Sequence, residues 1–453
     1  MAIDDSANQN GVTRREWFPL LIICLALVLL QVRYGICSQD DAFISFRYAA
    51  NLVDGHGLVF NPGERVEGYT NFLWTMLFVP VIGVGLEPTG IAASLGMVFS
   101  TLLLWTTWEM GGRRWLAPML VLTFPGLGLE GVQGLETVAF AWLVSMTVWG
   151  GLADAAPARV RKGWPLFAGL AALTRPEGWL VYVLVWGLRW LGFPAWRKTS
   201  WKAWLGFGAL VLPHLAFRLI YYGRPLPNTF YAKVGGFAID RGLTYIGEVM
   251  WVALPLFVLA LFGAIAIVRK VVQEGWSAQW FHVSLACLVG VYLTYVVMVG
   301  GDFKGTGRFV IPVLGLVALV AQSWVVRWRY VVGLAALGWS VPEFREMDFF
   351  AQRFSNELVQ RRAVGEFLAT VVPPDAVIAV HAAGIVPYYS GRPTLDMWGL
   401  NDLHIAQAEV ENLGTGTAGH ERHDYQYVMD RAPLIILPER DLVTTEPFKL
   451  PDP

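Results

Sequence analysis

Charge is scarce in this sequence. Only 15% of its 453 residues are Asp, Glu, Lys or Arg, against 55% that are hydrophobic, and the net charge is -1. A soluble globular chain carries far more charge, so the composition is that of a polytopic membrane protein. Near-neutrality leaves no basis for nucleic-acid binding. Cysteine is scarcer still: Cys24, Cys37 and Cys287 have no metal-ligand spacing, and two of them fall in apolar runs, which argues against a structural disulfide. There is no P-loop and no GxGxxG after a strand, so no nucleotide site is expected. No small-residue cleavage site ends the first apolar run, Trp17 to Ile36, which reads as an uncleaved signal-anchor.

What is present is a series of apolar runs. After the first they fall at about 89–108, 115–130, 135–152, 164–175, 177–192, 203–222, 246–268, 280–300, 309–326 and 329–341. Arg14 and Arg15 precede the first span and place the N-terminus in the cytoplasm. Arg113-Arg114, Arg159-Arg161-Lys162, Arg197-Lys198-Lys202, Arg269-Lys270 and Arg327-Arg329 then occupy alternate connections, as cytoplasmic loops should. The run 69–86, broken by Pro80 and Gly83, fits this threading only as a non-spanning or interfacial helix. About eleven spans result, with the C-terminus outside. From Pro342 charge rises and the apolar runs shorten. Residues 1–341 are expected to form the membrane domain and 342–453 a small α/β domain on the outer face. Within the latter, Glu357 to Thr370 suggests an amphipathic helix, and Ala376 to Val380 and Leu434 to Leu437 suggest buried strands.

The remaining charges gather on the outer face. Carboxylates there are Asp40, Asp41, Glu136, Glu177 and Asp302; cations are Arg175, Lys233, Lys304 and Arg308. Charge beside hydrocarbon is costly and commonly functional. The carboxylates suit a general base or a metal, and the cations suit a phosphate. The first outer loop, 37–68, opens with the adjacent pair Asp40-Asp41, with Arg47 on the same short helix. It is either a solvated loop or the front wall of an active site. Pro225 to Lys233 is a stiff turn in which Asn228 could orient a polar group, Tyr231 could face a sugar or prenyl chain and Lys233 could meet a phosphate. Thr174-Arg175-Pro176-Glu177-Gly178 is a site element or a helix-breaking ion pair. Gly301 to Arg308 alternates charges among glycines that allow close approach. His381 follows a predicted strand and is structural or catalytic. Gly419-His420-Glu421-Arg422-His423 lacks the spacing of a zinc-protease helix.

Several of these stretches carry a resemblance. DDAFISFRYAANLVDGHGLVFNPGERVEGYTN, beginning at Asp40, resembles the first outer loop of AftB-like arabinofuranosyltransferases, membrane enzymes of the GT-C superfamily. Gly134-Leu135-Glu136-Thr137, Arg175-Pro176-Glu177, Pro227 to Lys233, Gly300-Gly301-Asp302, Tyr388 to Asp396 and Gly399 to Asp402 are similar to further marks of that group. The resemblance implies a GT-C-like helical fold in the inner (plasma) membrane. It also implies a polyprenyl-phosphate sugar donor entering from the bilayer, and an extracytoplasmic glycan or glycoprotein acceptor. Mapped onto this sequence, an acidic residue of the first loop acts on the acceptor hydroxyl, Asp40 before Asp41, while Lys233, Arg175 and Arg308 hold the donor phosphate. The implied sugar is arabinofuranose; mannose or an aminosugar is the alternative. A divalent cation at Asp40-Asp41 stays open, and no other cofactor is implied. A transporter or flippase of lipid-linked sugars is the alternative of another class. It should show inverted repeats and mid-membrane polar groups, and neither is found here.

Overall fold

The computed structural model describes residues 9–233, 236–324, 329–410, 416–417 and 419–438. Arg327, in the last basic cluster, lies outside the described residues. Five helices are long and apolar enough to cross a bilayer: Trp17–Tyr34, Pro88–Met110, Trp201–Tyr222, Leu254–Glu274 and Trp276–Met298. Shorter apolar helices, Phe72–Gly83, Thr137–Leu152, Gly178–Gly192 and Ile311–Gln322, pack among them. The chain is a multi-pass membrane protein. The run at 69–86 forms only the 12-residue helix Phe72–Gly83, roughly 18 Å at 1.5 Å per residue, well short of a straight crossing.

The apolar core explains how short helices persist. Thr137–Leu152 and Ile311–Gln322 are buried along almost their whole length. Their side chains form one cluster with Leu116, Leu120, Tyr182, Phe207 and Tyr292. A helix buried on all sides needs apolar residues on all sides, and that is why these two runs show no amphipathic period. Two expected runs are divided. The stretch 115–130 is two helices, Leu116–Leu122 and Pro125–Glu130, because Pro125 starts the second at its first turn. The stretch 246–268 divides at Ala253, just before Pro255, into Ile239–Val252 and Leu254–Glu274. Conversely, the run 329–341 and the amphipathic stretch 357–370 belong to one helix, Arg329–Val371, which continues through Pro342. The composition change at 342 therefore falls within a continuous helix. Ser340, one turn from that proline region, donates to the Thr123 carbonyl at 2.7 Å and ties the helix to the bundle.

Beyond this helix lies a three-stranded parallel sheet, β1 (Ile378–Val380), β2 (Thr394–Asp396) and β3 (Ile435–Leu437), in the order β2-β1-β3. Ile378 pairs with Thr394 on one side and Ile435 on the other. β1 is central and fully buried, as its continuous apolar run requires. The sheet does not stand apart. Ile378, Val380, Leu368 and Leu400 share a buried cluster with Ile44, Tyr48, Leu58, Phe60 and Tyr69 of the first outer loop. Loop and C-terminal unit are thus packed against each other, and the site described next lies where they meet.

Candidate functional site

The helix Asp40–Val53 opens the first outer loop, and its first two residues face different surroundings. The Asp40 carboxylate accepts the backbone N–H of Gly384 at 2.8 Å on one oxygen and that of Ile385 at 2.9 Å on the other. Arg361 pairs with it at 3.2 Å. Burial pushes the Asp40 carboxyl up, against the pull of Arg361 and the two N–H groups. A Cβ on Gly384 would come within 1.8 Å of the Asp40 carbonyl oxygen, so only glycine permits this approach. Asp40 is therefore a clasp between the first loop and the C-terminal unit.

Asp41 has the opposite character. It is surrounded by protein, yet its side chain keeps 41% of its surface open. Part of the carboxylate is therefore free to meet a ligand. Lys304 pairs with it at 2.8 Å and Arg308 at 3.7 Å. Lys233, which makes no hydrogen bond or ion pair among the described residues, also acts on it through space. Burial would push the Asp41 carboxyl up, but Lys304, then Lys233 and Arg308, outweigh it and hold the group well below the usual carboxylate range. Lys233 keeps more than a third of its surface exposed, and the protein crowding around it pushes its ammonium down, with Asp41 opposing. Lys304 is steadied by Gln39, which in turn donates to Gln133 at 2.7 Å. Asp302 pairs with Arg308 at 2.9 Å, and its other oxygen accepts the Phe303 N–H. One open carboxylate inside a cradle of three cations is the central feature of the site.

The other residues singled out in the sequence fall into two groups. Glu136, Arg175 and Glu177 form a closed buried network. Arg175 reaches Glu136 at 2.9 Å and Glu177 at 3.0 Å, and Asn71 donates to the second oxygen of Glu136 at 2.9 Å. One guanidinium is shared by two carboxylates, and Asn71 supplies a further donor. Arg47 is also occupied within the protein. It donates to the carbonyls of Phe60, Arg392 and Pro387 and to Asn61, with its guanidinium over the Phe60 ring. Asn228 donates to the carbonyls of Gly399, Leu400 and Asp402 and so secures the 225–233 turn to the C-terminal unit. That turn delivers Lys233 to the cradle. Tyr231 packs at the edge of the cluster shared by the loop and the sheet, under Arg224. His381 stacks on Trp398, ring centroids 5.1 Å apart.

Sequence reasoning singled out neither Arg361 nor the ring of Trp398, and it set His420 aside. His420 lies 3.9 Å from Trp398 and 4.7 Å from Phe303, centroid to centroid. It is close enough to feel Asp41, Lys233, Lys304 and Asp302. Among the described residues no three His, Cys, Asp or Glu side chains converge as a metal site would require. Asp40 pairs with Arg361 and two N–H groups, and Asp41 with Lys304.

Residues 350–449 match a family described as a domain of unknown function, DUF8728. A terminal β-(1→2)-arabinofuranosyltransferase of Mycobacterium tuberculosis is 30% identical over 248 residues, covering 48% of this chain and 39% of that protein. The terminal β-(1→2)-arabinofuranosyltransferase of Corynebacterium glutamicum is 27% identical over 347 residues, 65% of this chain and 50% of that one. The chain thus spans half or less of the length of these relatives. Among solved structures, the crystal structure of ArnT from Cupriavidus metallidurans bound to undecaprenyl phosphate aligns with a TM-score of 0.57. It is 12% identical and covers 83% of this chain and 85% of its own. The same protein in its apo state aligns at 0.56, with 13% identity and 86% of each chain covered. The fold is similar to that of ArnT, and the sequence is similar to arabinofuranosyltransferases.

Proposed function

We propose that the chain is a membrane glycosyltransferase that moves a sugar, arabinofuranose in the first instance, from a polyprenyl-phosphate donor to a glycan or glycoprotein acceptor outside the cytoplasm. The observation that carries this reading is the single open carboxylate, Asp41, ringed by Lys233, Lys304 and Arg308. The similarity to arabinofuranosyltransferases supports it, and so does a fold shared with a protein crystallised with undecaprenyl phosphate.

The chemistry follows from the cradle. The donor phosphate enters among the three cations and takes a share of their charge. Asp41, released from them, regains basicity, since the ion pairs that lower its proton affinity weaken. It accepts the proton of the acceptor hydroxyl as that oxygen bonds to the anomeric carbon. The bond from anomeric carbon to phosphate oxygen breaks. The electron pair leaves with the polyprenyl phosphate, whose growing charge Lys233, Lys304 and Arg308 stabilise. Asp40, held by Gly384, Ile385 and Arg361, fixes the helix start that presents Asp41.

The test is sugar transfer in membranes containing the protein, supplied in turn with polyprenyl-phosphoryl arabinofuranose, mannose and an aminosugar, and with an envelope glycan acceptor. Transfer from the arabinofuranose donor, lost in Asp41→Asn at equal expression, is expected. Transfer only from another sugar corrects the donor. Full activity of Asp41→Asn overturns the role given to that carboxylate.

A further inference from the structure

Four rings line up beside the cation cradle. His381 stacks on Trp398 with planes 17° apart, Trp398 meets His420 at 65°, and His420 meets Phe303 at 78°. The row runs from the end of β1 to the loop after Gly300-Gly301. It joins the C-terminal unit to the loop that carries Lys304 and Arg308. Its members are only half-buried, and Phe303 is 50% exposed. The main chain at Trp398 is fixed: its backbone N–H donates to the buried Asp396 carboxylate at 3.0 Å, and the Asn401 backbone N–H donates to the same carboxylate at 2.9 Å. His420 is fixed by its neighbour. Gly419 has φ +80°, and a Cβ there would lie 3.1 Å from the Lys233 side chain, so this segment closes directly onto the cradle. The imidazole makes no hydrogen bond among the described residues.

The cradle and the row differ in what they can bind. The cradle carries the positive charge and fits a phosphate. The row carries ring faces and edges together with imidazole nitrogens. Burial drops the His420 imidazole to about 4, so it is neutral near pH 7 and can both give and accept a hydrogen bond. Aromatic surface with a few polar atoms is the lining suited to an uncharged, hydroxyl-rich ring.

We propose that the row Phe303–His420–Trp398–His381 is the subsite for the acceptor sugar, a neutral glycan end, and that His420 binds one of its hydroxyls beside Asp41. This rests on the transferase reading above and adds to it. It gives residues 350–449, which match a family of unknown function, a part in the site.

The experiment has two arms, both on the full-length protein in detergent or nanodiscs. The first measures acceptor and donor KM separately for wild type, Trp398→Ala, Trp398→Phe and His420→Gln, with an octyl arabinofuranosyl disaccharide as acceptor. Trp398→Ala and His420→Gln are expected to raise acceptor KM about tenfold, on the scale of one lost ring contact or hydrogen bond. Donor KM should stay within about twofold, and Trp398→Phe should recover most of the loss, since the cradle and its charge are untouched. An unchanged acceptor KM in both variants, or a rise confined to donor KM, overturns the proposal. The second arm follows equilibrium binding of the same disaccharide by saturation-transfer NMR, with no donor present. Binding to wild type that Trp398→Ala abolishes supports the subsite even if no donor sugar turns over, in which case only the transferase reading fails. Absence of binding to wild type overturns the subsite.

Discussion

Replacing either of two neighbouring carboxylates by its amide should give two unlike proteins. In Asp40→Asn one acceptor oxygen remains for two backbone N–H groups, those of Gly384 and Ile385. The new NH2 faces the other N–H, and leaving that group unsatisfied costs about 1–3 kcal/mol. Arg361, whose side chain is 12% exposed, also loses its partner. Breaking a buried pair from one side costs about 3–5 kcal/mol. The two losses share one network and do not simply add, so a total of about 4 kcal/mol is expected, a melting-temperature fall of about 4 °C for a chain of this length. In Asp41→Asn the altered group is partly open, and Lys304 keeps Gln39. The stability change should stay below about 1 kcal/mol, while transfer falls by ~10²-fold or more with the base gone. Lipid-phosphate binding should tighten, because the cations lose the anion that competes for them. Thermal melts, transfer rates and polyprenyl-phosphate titration on the two variants read all three effects. The reasoning is refuted if Asp40→Asn keeps its melting temperature and loses activity while Asp41→Asn stays active. It is equally refuted if Asp41→Asn weakens phosphate binding.

Three further outcomes are expected. Lys233→Met should raise donor KM roughly 10-fold or more, the worth of one charge-assisted contact, with an unchanged melting temperature because Lys233 makes no ion pair or hydrogen bond among the described residues; an unaltered donor KM would remove it from the cradle. Gly384→Ala should destabilise by about 3 kcal/mol through overpacking, since its methyl would collide with the Asp40 backbone, and a melting temperature equal to wild type would contradict the clasp. His420, held at about 4 against 6.5 unfolded, binds its proton more readily in the unfolded chain, so stability contributed at neutral pH is lost as pH falls through 6.5 toward 4; His420→Gln should flatten the thermal-stability profile in that window and leave it unchanged above pH 7.

The first loop stood out in the sequence because charge is rare here and two carboxylates sit side by side where the chain leaves the bilayer. Lys304 and Arg308 were legible for the same reason, as alternating charges among glycines. Sequence alone could not divide the carboxylate pair. That division depends on Gly384 and Ile385, more than 340 positions away, and on Arg361 within a helix read as merely amphipathic. Arg47 stood out only as a charge on the first-loop helix, and its carbonyl partners at Pro387 and Arg392 come from the far end of the chain. Asn228 joins those same distant segments. Strand β2 has no signal of its own, since three residues after Gly391-Arg392-Pro393 are too few to show a period; it is a strand because β1 lies beside it. Pro342 suggested a boundary, yet the helix runs on. A proline removes one hydrogen bond at a cost of about 3 kcal/mol, which packing on both sides of it can offset. The ring row beside the cradle was not legible as a unit: His381 and His420 stood out one by one, but what joins them to Trp398 and Phe303 is contact between residues far apart in the chain.

The decisive measurement uses purified protein in liposomes, given polyprenyl-phosphoryl arabinofuranose and the disaccharide acceptor, with product sugar and free polyprenyl phosphate counted together. Transfer at Asp41 predicts that the two appear in equal amounts and that both vanish in Asp41→Asn. Movement of the intact lipid-linked sugar across the bilayer, with no glycosidic product, would contradict it and make the chain a transporter.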